Sequence, residues 1–261
     1  MAKQIGLLNI AGFNTRILAY HTANPQYFEK QMDYLRQNYK VVSLQEALKD
    51  LDRKQVVLTF DDGYRNNLEC AYPVLKRLGL KATIFITYDF IQKNSFAWWD
   101  RLAYSGAKCD IRMLKSMSPD QIEKRVTELT GLYMHSKKPH KYDFLSWSEV
   151  ARILDVFDIG SHTLSHPILT NIPSEQAEEE IADSRKMIKE KIKKEVMSLA
   201  YPNGNCNEQI MDAARQAGYN CAVIYEKGNN SKKADLFRLY RRGINFDDDL
   251  EIFAAKTAGV F

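Results

Sequence analysis

The chain has 261 residues, of which 45% are hydrophobic and 27% charged, enough apolar material for the core of one large α/β domain. Its 37 basic and 33 acidic side chains leave a formal charge of +4, and the lysines are scattered along helical segments without a basic, aromatic-lined stripe, which argues against nucleic acid as a partner. The four cysteines, Cys70, Cys109, Cys206 and Cys221, show no C-x-x-C spacing, so they read as reduced thiols and not as a thiolate metal site or a redox pair.

Residues Met1 to Ile10 lack the charged start, apolar core and cleavage site of a secretory signal, and no apolar run reaches the length of a membrane span. The expected location is therefore the cytoplasm. Arg16 to Tyr20 reads as a short strand ending at His21, and Pro25 to Asn38 as an amphipathic helix with Phe28, Met32 and Leu35 on one face. Val41 and Val42 follow, then a short helix from Leu44 to Leu51. Val56 to Phe60 is continuous and partly β-branched, the pattern of a parallel strand buried on both faces, and it runs into Asp61 and Asp62. A helix is predicted from Asn67 to Leu78, stopped by Gly79, and a strand from Ala82 to Ile86, which completes a βαβ unit.

The alternation then breaks. Residues 92–143 hold Trp98, Trp99, a predicted helix from Pro119 to Leu132 and a polar loop from His135 to His140. They read as an insertion beside the rim of a single domain covering 1–261. The rhythm resumes with a helix near Ser148 to Leu154 and a strand from Val156 to Ile159 that leads to His162 and His166. A charged helix from Ser174 to Lys194, a strand from Met197 to Ala200 and a helix from Glu208 to Ala217, capped by Gly218, come next. The strand Cys221 to Ile224, a Gly228-Asn229-Asn230 loop, a basic strand Leu239 to Ile244 and a helix from Asp248 to Lys256 complete the series.

Parallel α/β folds collect their chemistry at the carboxyl ends of strands. Three such ends here carry His21, the Asp61-Asp62 pair and the His162/His166 pair. Asp-Asp-Gly after a strand is commonly turn chemistry, and a lone H-x-x-x-H is commonly two surface histidines. Their joint occurrence supplies one Asp and two His, the donor set of a catalytic metal site with open positions, and leaves one carboxylate over as a base for the water such a metal activates. That combination points to a hydrolase. Trp98 and Trp99 suit either stacking on sugar rings or a small core of the insertion itself. His135 and His140 read as solvated, and so does the helix face running from Glu178-Glu179-Glu180 to Lys193-Lys194, whose charges follow the helix dipole.

Thr59-Phe60-Asp61-Asp62-Gly63-Tyr64 and Ser161-His162-Thr163-Leu164-Ser165-His166 resemble the first two motifs of the polysaccharide deacetylase family, the NodB-homology domains of carbohydrate esterase family 4. The resemblance extends through Ile17 to His21, Phe28 to Leu44 and Leu199 to Gly204. It implies a distorted (β/α)7-type barrel and a metal-dependent hydrolase that removes N-acetyl groups from an amino sugar in a polysaccharide, oligosaccharide or glycan precursor. It further implies Asp61 as base, with Asp62, His162 and His166 holding zinc or, with the same donors, cobalt, nickel or manganese.

Two departures from the family pattern stand out. No histidine follows His166, so the usual C-terminal L-x-H acid is missing, and Tyr20-His21 instead resembles the N-terminal Y-H of a permuted subset, which makes His21 the expected acid. The R-x-P-Y motif reads Ala200-Tyr201-Pro202-Asn203. Its backbone oxyanion donor survives at Asn203 but its arginine does not, and Arg241 or Arg242 is the candidate replacement. The family's D-W motif is also absent. The alternatives are an amidohydrolase acting on a cyclic imide or purine-derived amide, and a catalytically silent metal-binding or glycan-binding module. Sequence leaves the oligomeric state open.

Overall fold

The computed structural model describes residues 14–260, so the reading of Met1 to Ile10 lies outside the described residues. The apolar runs become buried strands, beginning with β1 (Arg16–Tyr20). Helix α1 (Phe28–Asn38) starts later than Pro25 because Asn24 organises a turn first, its side chain accepting from the Gln26 N–H and its carbonyl from the Phe28 N–H. It buries Phe28, Met32 and Leu35. β2 (Lys40–Val42) and the single-turn α2 (Leu44–Ala47), capped by the Ser43 hydroxyl, lead to β3 (Gln55–Phe60), in which every residue is buried. The expected helix after Asn67 opens as one π-helical turn, Asn67–Ala71, before α3 (Tyr72–Leu78), and Gly79 ends it in the left-handed conformation. β4 (Ala82–Ile86) follows.

Residues 88–143 contain four α-helices where the sequence announced one, α4 (Tyr88–Lys93), α5 (Trp98–Ser105), α6 (Ile111–Leu114) and α7 (Pro119–Thr130), and a 3-10 turn at His140–Tyr142. A small core of Leu102, Leu114, Ile122 and Val126, with Trp98 and Met117 against it, holds α5, α6 and α7 together. Buried Arg101 ties α5 to Glu123 on α7 and to the Leu132 carbonyl.

α8 (Trp147–Arg152) carries a Ser146/Glu149 capping box and precedes β5 (Phe157–Ser161). Gly160 on β5 is required by packing, since a Cβ there would lie 2.4 Å from the Phe85 ring. α9 (Ser174–Ile192), β6 (Ser198–Ala200), α10 (Glu208–Gln216) and β7 (Cys221–Val223) continue the alternation. The predicted basic strand contributes only Arg242–Gly243 as β8, before α11 (Leu250–Ala258).

Every strand pairing is parallel, in the order β7-β6-β5-β4-β3-β1-β8, with β2 beside β3 off this path. The sheet curls as the resemblance implies, and one short segment brings its edges together. Leu239 pairs with Val223 of β7, and three residues later Arg242 and Gly243 pair with Leu18 and Ala19 of β1. Aromatic packing fills the interior, with the Phe60 ring 5.1 Å from Tyr20 and 5.5 Å from Phe157. Among the described residues no helix is long and apolar enough to cross a membrane.

Candidate active site

The carboxyl ends of β1, β3 and β5 deliver His21, Asp61-Asp62 and His162 to one cavity of about 1060 Å³. The turn after β3 is sharp. Asp62 takes a left-handed φ of 71° and the following Gly63 one of 84°, which aims two successive carboxylates into the cavity. The loop after β5 is bent in the same way, with Thr163 at φ 68° and His166 at φ 66°. Its shape is fixed from behind by Glu180 of α9, which accepts the N–H groups of Leu164 and Ser165 at 2.9 and 2.8 Å and the Ser165 hydroxyl.

Asp62, His162 and His166 each offer one donor atom, all within 4.8 Å of one another. Asp62 Oδ1 lies 3.6 Å from His162 Nε2 and 3.5 Å from His166 Nε2, and it is buried without a hydrogen-bond partner. His162 Nδ1 meets the Ala200 carbonyl at 2.7 Å, which assigns the proton to Nδ1 and leaves Nε2 free to ligate. Burial drives His162 down to about 4 against the upward pull of Asp61, and burial beside His162 drives His166 well below its ordinary value. Two neutral imidazoles and an orphaned carboxylate oxygen fit a divalent cation.

The adjacent aspartates sit in opposite electrostatic states. Burial raises Asp62 well above the carboxylate range, and the neighbouring charges of Asp61 and Asp100 push the same way. Burial would raise Asp61 too, but Arg241 and His162 outweigh it and hold Asp61 at about 2. Arg241 Nη1 and Nη2 donate to the two Asp61 oxygens at 2.7 and 2.8 Å, while its Nε donates to the Ile224 carbonyl. Of the two arginines proposed from sequence, Arg241 reaches the site. Arg242 does not, because the next side chain along a strand points to the opposite face, and its guanidinium lies beside Gly259 and near Arg16.

The profile of the family described as polysaccharide deacetylase matches residues 48–222, about two thirds of the chain. The chain belongs to the polysaccharide deacetylase family. The YxkH protein of Bacillus subtilis (strain 168), whose name places it among the polysaccharide deacetylases, is 28% identical over 240 residues, 86% of this chain and 69% of that protein. The Streptococcus pyogenes deacetylase PplD superposes with a TM-score of 0.70 at 20% identity, covering 94% of this chain and 98% of that one. IcaB from Ammonifex degensii gives a TM-score of 0.68 at 19% identity over 94% and 98% of the two chains. The profile match establishes the family, and the structural likenesses its fold.

The other residues expected of a polysaccharide deacetylase fall as follows. His21 lines the cavity with its ring exposed to it. Protein on its other sides lowers its pKa, partly offset by Asp61, and Tyr225 packs edge-on at 6.0 Å. Tyr201 is fully buried, its N–H committed to the Val223 carbonyl and its hydroxyl to that of Phe237; Pro202 is buried beneath it, and Asn203 stands exposed at the cavity edge with a left-handed φ of 58°. Trp98 packs on the small α5–α7 core, and both Trp98 and Trp99 line the cavity. The Trp99 ring lies 4.8 Å from His166.

One reading needs correction. Glu180 is not part of a solvated face: it falls in register with buried Ala177, Ile181 and Ser184, a helical spacing that was available to signal it. His140, although exposed, is engaged by Glu69 and Asp143 at 2.8 and 3.0 Å. Asp100 and its partner Tyr64, both on the cavity wall, went unnoticed as a pair because they are 36 residues apart.

Proposed function

We propose that the protein is a metal-dependent hydrolase that removes N-acetyl groups from an amino sugar in a polysaccharide, oligosaccharide or glycan precursor. The observation that carries this reading is the split between two adjacent carboxylates. Asp61 is clamped and ionised by Arg241, while Asp62 lies unsatisfied between two neutral imidazoles. A divalent cation, zinc foremost, held by Asp62, His162 and His166 would supply Lewis acidity to the acetyl carbonyl and acidity to the attacking water.

The chain's own groups do the rest. Asp61 takes the proton of the attacking water, and the Arg241 fork fixes the carboxylate plane and keeps it ionised at neutral pH, at a cost in basicity that an acidified water tolerates. Because the Tyr201 N–H is committed to Val223, the oxyanion donor in this reading is the main-chain N–H of Asn203. His21 gives a proton to the departing nitrogen. Burial lowers its pKa, and the Asp61 carboxylate offsets this, favouring the protonated imidazole that a general acid must be. The 92–143 segment acts as an insertion that walls the sugar in, with Trp98 and Trp99 facing the cavity.

The test is acetate release from N-acetylglucosamine oligosaccharides by metal-reconstituted protein, beside Asp61→Ala and His21→Ala. Turnover lost in both variants at unchanged metal content supports the reading. Absence of acetate from metal-loaded wild type on these sugars overturns it.

A further inference from the structure

One charged group on the cavity wall has no part in the chemistry above. Asp100, in the first turn of α5, is 7% exposed, yet it forms no ion pair among the described residues. Tyr64 donates its hydroxyl to Asp100 Oδ2 at 2.8 Å, and Trp99 donates its indole N–H to the Tyr64 oxygen at 2.7 Å. A carboxylate has about four acceptor positions, and Tyr64 is the one side chain among the described residues that fills any of them. The rest of Asp100 borders the cavity.

A helix-dipole role alone does not balance this arrangement. An acidic residue in the first turn gains only a small stabilisation from the helix dipole at an exposed helix end, whereas a buried, sparsely bonded charge costs more than that. Burial raises Asp100 to about 6 even with Tyr64 bonded and with Lys138 and Lys141 acting from a distance. The acceptor positions of Asp100 that Tyr64 does not use face the cavity, where a ligand hydroxyl can donate to them. Beside them stands the Trp99 ring, an apolar face next to a polar acceptor. That is the pairing that suits a sugar, whose C–H face stacks while its hydroxyls donate. The Tyr64 bond fixes the carboxylate, and the packing of Trp99 on His166 sets its place relative to the cation site.

We infer that Asp100, oriented by Tyr64 and flanked by Trp99, is a specificity-determining contact that accepts a hydrogen bond from a hydroxyl of the bound amino sugar. This inference rests on the deacetylase reading and deepens it. It assigns the 92–143 segment the reading of a particular hydroxyl, in addition to enclosing the substrate.

The experiment is a substrate-by-variant cycle. Acetate release is measured for wild type and Asp100→Asn on an N-acetylglucosamine oligosaccharide and on its singly deoxygenated analogues, with metal content and unfolding midpoint recorded for both proteins. One deoxy analogue is expected to lose about ten- to a hundredfold in kcat/KM with wild type, the worth of a hydrogen bond to a charged group, and to lose nothing further with Asp100→Asn. Asp100→Asn losing the same factor on every sugar, losing metal, or showing no loss at all would each overturn the inference. If wild type releases no acetate from any of these sugars, the deacetylase reading fails by itself, and calorimetric binding of the same sugars to wild type and Asp100→Asn decides the contact. A non-additive loss of affinity for one analogue supports it; absence of binding or equal affinities overturn it.

Discussion

Arg241 grips both oxygens of Asp61 across 180 residues of chain, and the two side chains are 1% and 3% exposed. A fork of this kind fixes the plane of the carboxylate as well as its charge. Truncation leaves a buried carboxylate without compensation, so Arg241→Ala is expected to lower acetate release about a hundredfold or more and to cost roughly 3–5 kcal/mol of stability. Arg241→Lys restores the charge but not the fork, and should recover only a small part of the rate. Steady-state kinetics with denaturant unfolding check both, and near-normal kcat in Arg241→Ala would contradict the orienting role.

Loading the site with a cation is expected to be accompanied by proton release, because burial and the charges of Asp61 and Asp100 raise the Asp62 carboxyl above its ordinary value while the cation requires the ionised carboxylate. Titration calorimetry in buffers of different ionisation enthalpy measures that release. Zero release with wild type, or unchanged release with Asp62→Asn, would refute the assignment.

Metal-free protein should lose stability on the acid side. His162 falls from its ordinary 6.5 in the unfolded chain to about 4 in the fold, so between these values the unfolded chain binds the extra proton. The stability present above 6.5 is therefore lost as pH falls toward 4, on the order of 3 kcal/mol from this group. His166 acts in the same direction. Asp62, with a raised pKa, acts in the opposite one and offsets part of the loss. Urea midpoints between pH 4.5 and 7 in an Asp62→Asn background, which removes the opposing group, measure the loss, and a flat profile there would contradict desolvated, neutral histidines.

Glu180 touches no substrate, but it holds the loop between His162 and His166 by two backbone N–H groups and the Ser165 hydroxyl. Glu180→Ala is expected to weaken cation affinity about 10- to 100-fold, and Glu180→Gln to weaken it less. Competition with a chromophoric chelator reads this directly. Unaltered affinity in Glu180→Ala would mean that the loop keeps its shape unaided.

The strands that position the site were legible because parallel strands buried on both faces leave continuous apolar runs, as β1, β3 and β4 do. Asp62, His162 and His166 were recognisable as a group because each follows such a run. Choosing Arg241 over Arg242 was beyond the sequence: β8 has only two paired residues, too short for its alternation to be phased. Helices α4, α5 and α6, of six, eight and four residues, are too short for a helical period to stand out, so the setting of Asp100 stayed hidden behind Trp98 and Trp99.

The seam of the curled sheet, where residues 239–243 run from β7 to β1, also bears on the order in which the enzyme acquires its parts. The cation-site side chains lie between residues 62 and 166, whereas the partner of Asp61 arrives on the segment that joins the two edges. Contacts of such long sequence separation carry the largest loop-closure entropy. In the proposed reading, cation binding is thus tied to a part of the chain that can organise first, and catalytic competence to the closing of the seam. During refolding, capture of the ion should precede recovery of turnover, with the interval between them set by the docking of a single arginine.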